Sequence, residues 1–159
     1  MIVVDSNIIA GRNLTSSLTS EAIRVEEKDP VWIVPVLWRY EFQNILAGVI
    51  KSKQIKPEQA LNIWDNVSNI LMENEYEPSA SKVIDLVAHY GITAYDGQFI
   101  AVSLEMEILC VTEDRELQEK FPGVAISMNE FLEPGPMHVV REPKPRYHIR
   151  RTRKTRQNR

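Results

Sequence analysis

The chain has 159 residues, 43% hydrophobic and 26% charged, so it has material for one substantial core and for a single domain rather than two. The formal net charge of −3 conceals two opposite regions: residues 141–159 hold nine Lys or Arg and one acid, and residues 1–140 hold ten bases and 21 acids. Apolar runs fall short of the roughly 18 residues that a membrane span requires, and the chain opens in strand-like sequence rather than a leader peptide, which points to the cytoplasm. The one cysteine, Cys110, lies between Leu109 and Val111 and reads as a core thiol rather than a nucleophile.

Ile2, Val3 and Val4 form an apolar run of the kind found in a parallel strand buried on both faces, and the run delivers Asp5 to its carboxyl end. A short segment through Leu14 leads to a helix beginning near Ser17, with Leu18, Ala22 and Val25 at helical spacing. Residues 31–34 read as a second strand. Pro35 suits the first position of a helix running to about Lys51, in which Trp38, Phe42, Ile45, Leu46 and Val49 make an apolar stripe that also carries Glu41. Pro57 opens another helix with Leu61, Trp64, Val67 and Leu71 on one face, and a short strand near Tyr76 precedes a helix holding Val83, Val87 and Tyr90. Thr93 followed by Asp96 resembles a capping box and opens the next helix, where Phe99 and Ile100 share the face of Asp96. Strand 108–111, a short helix from Thr112, strand 124–126 and a helix capped by Ser127 and Glu130 complete the body. Such alternation predicts a parallel sheet with helices on both faces and a ligand crevice beyond the strand carboxyl ends. Asp5 and Asp114 lie just past such ends, and Asp96 sits in a helix's first turn, where the dipole favours a carboxylate.

Four acids placed on apolar elements need a reason. Two carboxylates about 4 Å apart repel by roughly 4 kcal/mol at an effective dielectric near 20, and desolvation adds to the cost. A divalent cation reverses the sign, and an all-oxygen set without His or Cys selects Mg²⁺ or Mn²⁺ over zinc. The predicted chemistry is metal-assisted phosphodiester hydrolysis, with Asp5, Asp96 and Asp114 as ligands and Glu41 either a ligand through water or a general base. Taken singly, Asp5 or Asp114 reads more readily as only a helix cap; it is the set of four that points to a site.

Residues 1–133 resemble the PIN domain, and within it the VapC ribonuclease toxins, through VVDSNIIA, LWRYEFQNILA, YDGQFIA and VTEDRELQEKFPGVAISMNEFL in that order. The resemblance implies a three-layer α/β/α sandwich around a parallel sheet of four or five strands. It also implies Mg²⁺- or Mn²⁺-dependent cleavage of RNA at Asp5, Glu41, Asp96 and Asp114, a cognate antitoxin and a homodimer. Ser6 and Asn7 follow the first acid as the family pattern expects and would orient Asp5 or its water. Thr112 suits the same supporting role or a helix cap, and Asn44, one turn after Glu41, suits a site role or ordinary hydrogen bonding. A receiver domain would want adjacent acids after the first strand and a Lys after the last. A haloacid-dehalogenase-type phosphatase would want Asp where Asn7 stands.

Residues 134–159 contain four prolines and little periodicity and read as a basic arm outside the domain. The arm is either a solvated tail or a phosphate-seeking extension using Arg150, Arg151, Arg153, Lys154 and Arg156, with Tyr147 available for stacking. The arm sustains the competing expectation, a PIN-like module that binds RNA or a protein partner with weak or no catalysis.

Overall fold

The computed structural model describes residues 1–133 and 140–143. β1 (Ile2–Val4) is followed by α1 (Ser6–Asn13), α2 (Thr19–Lys28), β2 (Trp32–Ile33), α3 (Trp38–Lys51) and α4 (Pro57–Leu71). A 3₁₀ turn (Met72–Asn74) leads to α5 (Ala80–Tyr90), α6 (Ala94–Met106), β3 (Cys110–Val111), α7 (Arg115–Lys120), β4 (Ala125–Ile126) and α8 (Met128–Leu132). The four strands form one parallel sheet in the order β2-β1-β3-β4.

Alternation along β1 divides the core. Ile2 and Val4 face a cluster with Ile8 and Ile9 of α1, Val25 of α2, Trp38 and Phe42 of α3, Val67 and Leu71 of α4, and Met128 of α8. Val3 faces the other way, onto Val83 and Leu86 of α5, Phe99 and Ile100 of α6, and Leu117 and Phe121 near α7. Helices therefore cover both faces of the sheet, giving the three-layer sandwich expected from the sequence. Trp38 stacks on Trp64 at 5.5 Å between ring centroids, which seats α4 on α3, and Cys110 is fully buried.

β2, β3 and β4 are shorter than in the sequence reading, α2 starts at Thr19 rather than near Ser17, and four further differences have a physical reason. Residues 6–13 are a helix, not a connecting segment; Ile8, Ile9 and Gly11 are all buried there, so α1 has no polar stripe from which a helical period can be read. Pro35 is not the first helical residue: α3 begins at Trp38, after a turn in which the Trp38 N–H bonds the Pro35 carbonyl. The segment near Tyr76 makes an isolated parallel bridge between Val34 and Glu75 rather than a full strand. α7 starts at Arg115 instead of Thr112, because Asp114 caps it. No helix among the described residues is long and apolar enough to cross a membrane.

Two features fix the elements around the sheet's carboxyl end. β1 has β2 on one side and β3 on the other, so the chain reverses its winding between β1 and β3, the position at which open parallel sheets place a ligand crevice beyond their strand ends. Gly97 allows α6 to lie close to α5: a Cβ there would come within 3.3 Å of Val83 Cγ1.

Candidate functional site

Asp5 stands at that crevice. Its N–H continues the sheet by bonding the Val111 carbonyl at 3.1 Å, and its carbonyl accepts from Ile8 and Ile9 in the first turn of α1. The side chain is half-buried, and Oδ2 accepts from Thr112 Oγ1 at 2.6 Å and Asn7 Nδ2 at 2.8 Å. Thr112 is fully buried just past β3; besides donating to Asp5, its hydroxyl accepts the Asp114 N–H at 3.0 Å. One hydroxyl thus joins the acids that follow β1 and β3, and the helix-cap role left open for Thr112 belongs to Asp114. Asp114 Oδ1 accepts the Glu116 and Leu117 N–H groups at 2.7 and 3.2 Å.

Glu41 approaches from α3 and is tied to the same turn by Ser6, whose hydroxyl donates to Oε2 at 2.6 Å. Asp96 lies in the first turn of α6, and its Oδ2 accepts from Thr93 Oγ1 at 2.6 Å while Thr93 Oγ1 accepts the Asp96 N–H at 3.1 Å. The sequence marks the Thr93 hydroxyl only as a cap, since the spacing signals the backbone bond and not the second contact that orients this acid. The Gln118 side chain carries no mark at all; its amide holds the Thr112 carbonyl at 2.7 Å, and no sequence pattern announces it.

Electrostatics binds the set together. Burial pushes the Asp5 carboxyl above its ordinary range, the negative charges of Asp96 and Asp114 add to that, and the bonds from Thr112 and the Ser6 backbone oppose it. Glu41 is raised for the same leading reason, with Asp5 and Asp96 contributing and Ser6 opposing. Asp5 is therefore within the field of all three other acids, and Glu41 within that of Asp5 and Asp96. Glu41, Asp96 and Asp114 each keep one carboxylate oxygen outside the hydrogen bonds of the described residues. The buried Asn7 Oδ1 also lacks a partner there.

A hard divalent ion matches this donor set, which offers oxygen alone and carries excess negative charge. Among the described residues, however, no three acid, His or Cys side chains are grouped closely enough to hold one ion directly. Asn44 is exposed on α3, one turn past Glu41. Arg150, Arg151, Arg153, Lys154, Arg156 and Tyr147 lie outside the described residues.

The fold is thus a parallel-sheet sandwich with acids just past β1 and β3 and on α3 and α6. The PIN domain family model matches residues 2–121, and the chain belongs to the PIN domain family. It is similar to ribonuclease VapC3 of Pyrobaculum aerophilum, at 24% identity over 126 residues covering 77% of this chain and 96% of that protein. Its fold is similar to the crystal structure of PAE2754 from Pyrobaculum aerophilum, with a TM-score of 0.66, 20% identity and coverage of 82% of this chain and 92% of that one.

Proposed function

We propose that this protein is an endoribonuclease that needs Mg²⁺ or Mn²⁺ and acts as the toxin of a toxin–antitoxin pair. The observation that supports the reading is that Asp5, at the sheet's switch point, is held by Thr112 and Asn7 within the electrostatic reach of Glu41, Asp96 and Asp114. Because no three of these acids are grouped closely enough to hold one ion directly, Asp5, Asp96 and Asp114 would share it partly through water, with Glu41 reaching it through water alone. When bound, the ion supplies Lewis acidity toward water and the scissile phosphate. The chain supplies the rest. Thr112, Asn7 and Thr93 orient the acids, and Ser6 holds Glu41, which would take a proton from the attacking water. The similarity to ribonuclease VapC3 supports RNA as substrate.

The same reading includes a cognate antitoxin and a second copy of the chain. A groove of about 370 Å³ between α3 and α4, lined by Leu46, Ala47, Ile50, Pro57, Leu61 and Trp64, supports an apolar contact on that side.

The test is cleavage of total cellular RNA by the purified protein with Mg²⁺, Mn²⁺ or EDTA, beside Asp96→Asn. Discrete fragments that require both metal and Asp96 are expected. RNA binding without cleavage in any metal would instead favour a binding module, the reading that the spacing of the acids and the basic arm keep in view.

A further inference from the structure

The first turns of α1 and α3 meet at the acids, because Ser6 at the start of one helix bonds Glu41 near the start of the other. Leu14, just past α1, and Val49, near the end of α3, line one cleft of about 330 Å³, so the two helices run side by side away from the site. The α1 wall is Asn7, Ala10, Gly11 and Leu14, at steps of three and four. On α3 the wall is Ile45 and Val49, which continue the face of Glu41 at steps of four and reach about 12 Å along the axis from it. At one end of the cleft Asn7 holds Asp5 at 2.8 Å. At the other stands Gln54, whose N–H bonds the Val49 carbonyl at 3.0 Å and brings the chain back against α3.

Gln54 also lines a second cleft, of about 470 Å³, with Ile50, Lys53 and Lys56. Residues 51–56 carry Lys51, Lys53 and Lys56 and no acid, all three lysines exposed, whereas residues 1–140 as a whole hold 21 acids and ten bases. The ion pairs among the described residues include none of the three. Lys53 stands at φ 59°, where glycine would sit without strain, so a cation is kept there against the backbone preference. Lysines at a helix C-terminus complement its dipole, which accounts for Lys51 and Lys53. Lys56 is the N-cap of α4, where the same dipole disfavours a cation.

An extended polyanion whose reacting bond lies at Asp5 fits both ends. The cleft begins beside that acid, offers aliphatic walls to bases and riboses, and leads to cations that no carboxylate neutralises. We propose that one RNA strand lies in the cleft between α1 and α3, with phosphates beyond the cleavage point held by Lys53 and Lys56. The inference rests on the ribonuclease reading for its substrate. Gln54, Lys53 and Lys56 are positioning residues, which bind the strand away from the reacting bond.

Binding of a fluorescent oligouridylate to the full chain is measured in EDTA across a salt series, with KM and kcat measured separately in Mg²⁺. Gln54→Glu puts a negative charge where the two clefts meet without changing shape, and is expected to weaken binding several-fold; Gln54→Lys is expected to tighten it. Lys53→Gly combined with Lys56→Gln is expected to flatten the plot of log affinity against log salt by about 0.7 for each phosphate released. The same double variant is expected to raise KM with little change in kcat, and to melt no lower than wild type, since glycine suits the backbone at position 53. Arg24→Gln removes a charge from the exposed face of α2, outside both clefts, and is expected to leave RNA binding unchanged. An unchanged salt slope in the lysine variant overturns the proposal. So does equal weakening in Arg24→Gln, which would reduce the effect to net charge. Wild-type RNA binding in both Gln54 variants also overturns it, and is the result expected if the cleft takes a protein instead. Because binding is read without metal, absence of cleavage would count against the ribonuclease reading alone.

Discussion

The Thr112 hydroxyl spends its one hydrogen on Asp5 and accepts from the Asp114 backbone, so its removal has two costs. Thr112→Val preserves shape, leaves a buried N–H without its acceptor at about 1–3 kcal/mol, and frees Asp5 to turn. Thermal melting is expected to fall by about 2–4 °C for each kcal/mol in a chain of this size, and metal-dependent RNA cleavage by about 10–100-fold; full activity in a destabilised variant would remove Thr112 from the site. Asp5 also makes a pH signature. Its folded pKa is raised by burial, so the folded protein binds its proton more tightly than the unfolded chain. The associated stability is present below the ordinary carboxylate range and is lost as pH rises through the folded pKa. In EDTA, Asp5→Asn is therefore expected to melt higher than wild type at neutral pH, with the advantage vanishing in acid. Parallel melting curves across the titration would show that Asp5 carries no burial penalty.

At the scale of elements, each acid depends on how a helix start is seated. α6 presents Asp96 in its first turn, one residue before Gly97, where α6 meets Val83 of α5. Gly97→Val forces the two helices apart and is expected to cost about 1–3 kcal/mol through overpacking, while lowering RNA cleavage beyond what the melting shift explains, because Asp96 moves with the helix. Urea unfolding and cleavage rates on the same preparation check both halves; normal cleavage in a destabilised variant would detach Asp96 from the chemistry. α3 is braced differently. Glu75 accepts from Trp38 Nε1 at 2.8 Å and pairs with Arg39, which lowers its carboxyl pKa. That contact ties the segment after α4 to the start of the helix bearing Glu41.

For the whole molecule, the negative charges of Asp96 and Asp114 act on Asp5, and those of Asp5 and Asp96 on Glu41, a repulsion that a cation bound among them would relieve. Mg²⁺ or Mn²⁺ is expected to raise the melting temperature by mass action, about 2.7 kcal/mol at a hundredfold excess over Kd. The rise is expected to be largely lost in Asp5→Asn and Asp96→Asn. Calorimetric scans with metal and with EDTA test this, and equal metal stabilisation in the variants would move the ion elsewhere.

Much of this protein was legible in its order of residues. An unbroken apolar β1 ending at an acid reads as a buried parallel strand, which places Asp5 at its carboxyl end; Thr93 and Asp96 mark a helix start through local hydrogen bonding that needs no distant partner. α1 was not legible, since a helix buried between α2 and α3 shows no polar face, and neither was the true start of α3, because the turn after Pro35 is set by packing. The partners of the acids were beyond any local pattern: Thr112 finds Asp5 across 107 residues, and Ser6 finds Glu41 across 35. The sequence by itself determined the parallel sheet and the residues that end its strands, because periodicity and caps are properties of neighbours along the chain. Only the tertiary structure decided which hydroxyl holds which acid and which residues line the cleft beside Asn7, because those contacts depend on strand order and on helices meeting in space.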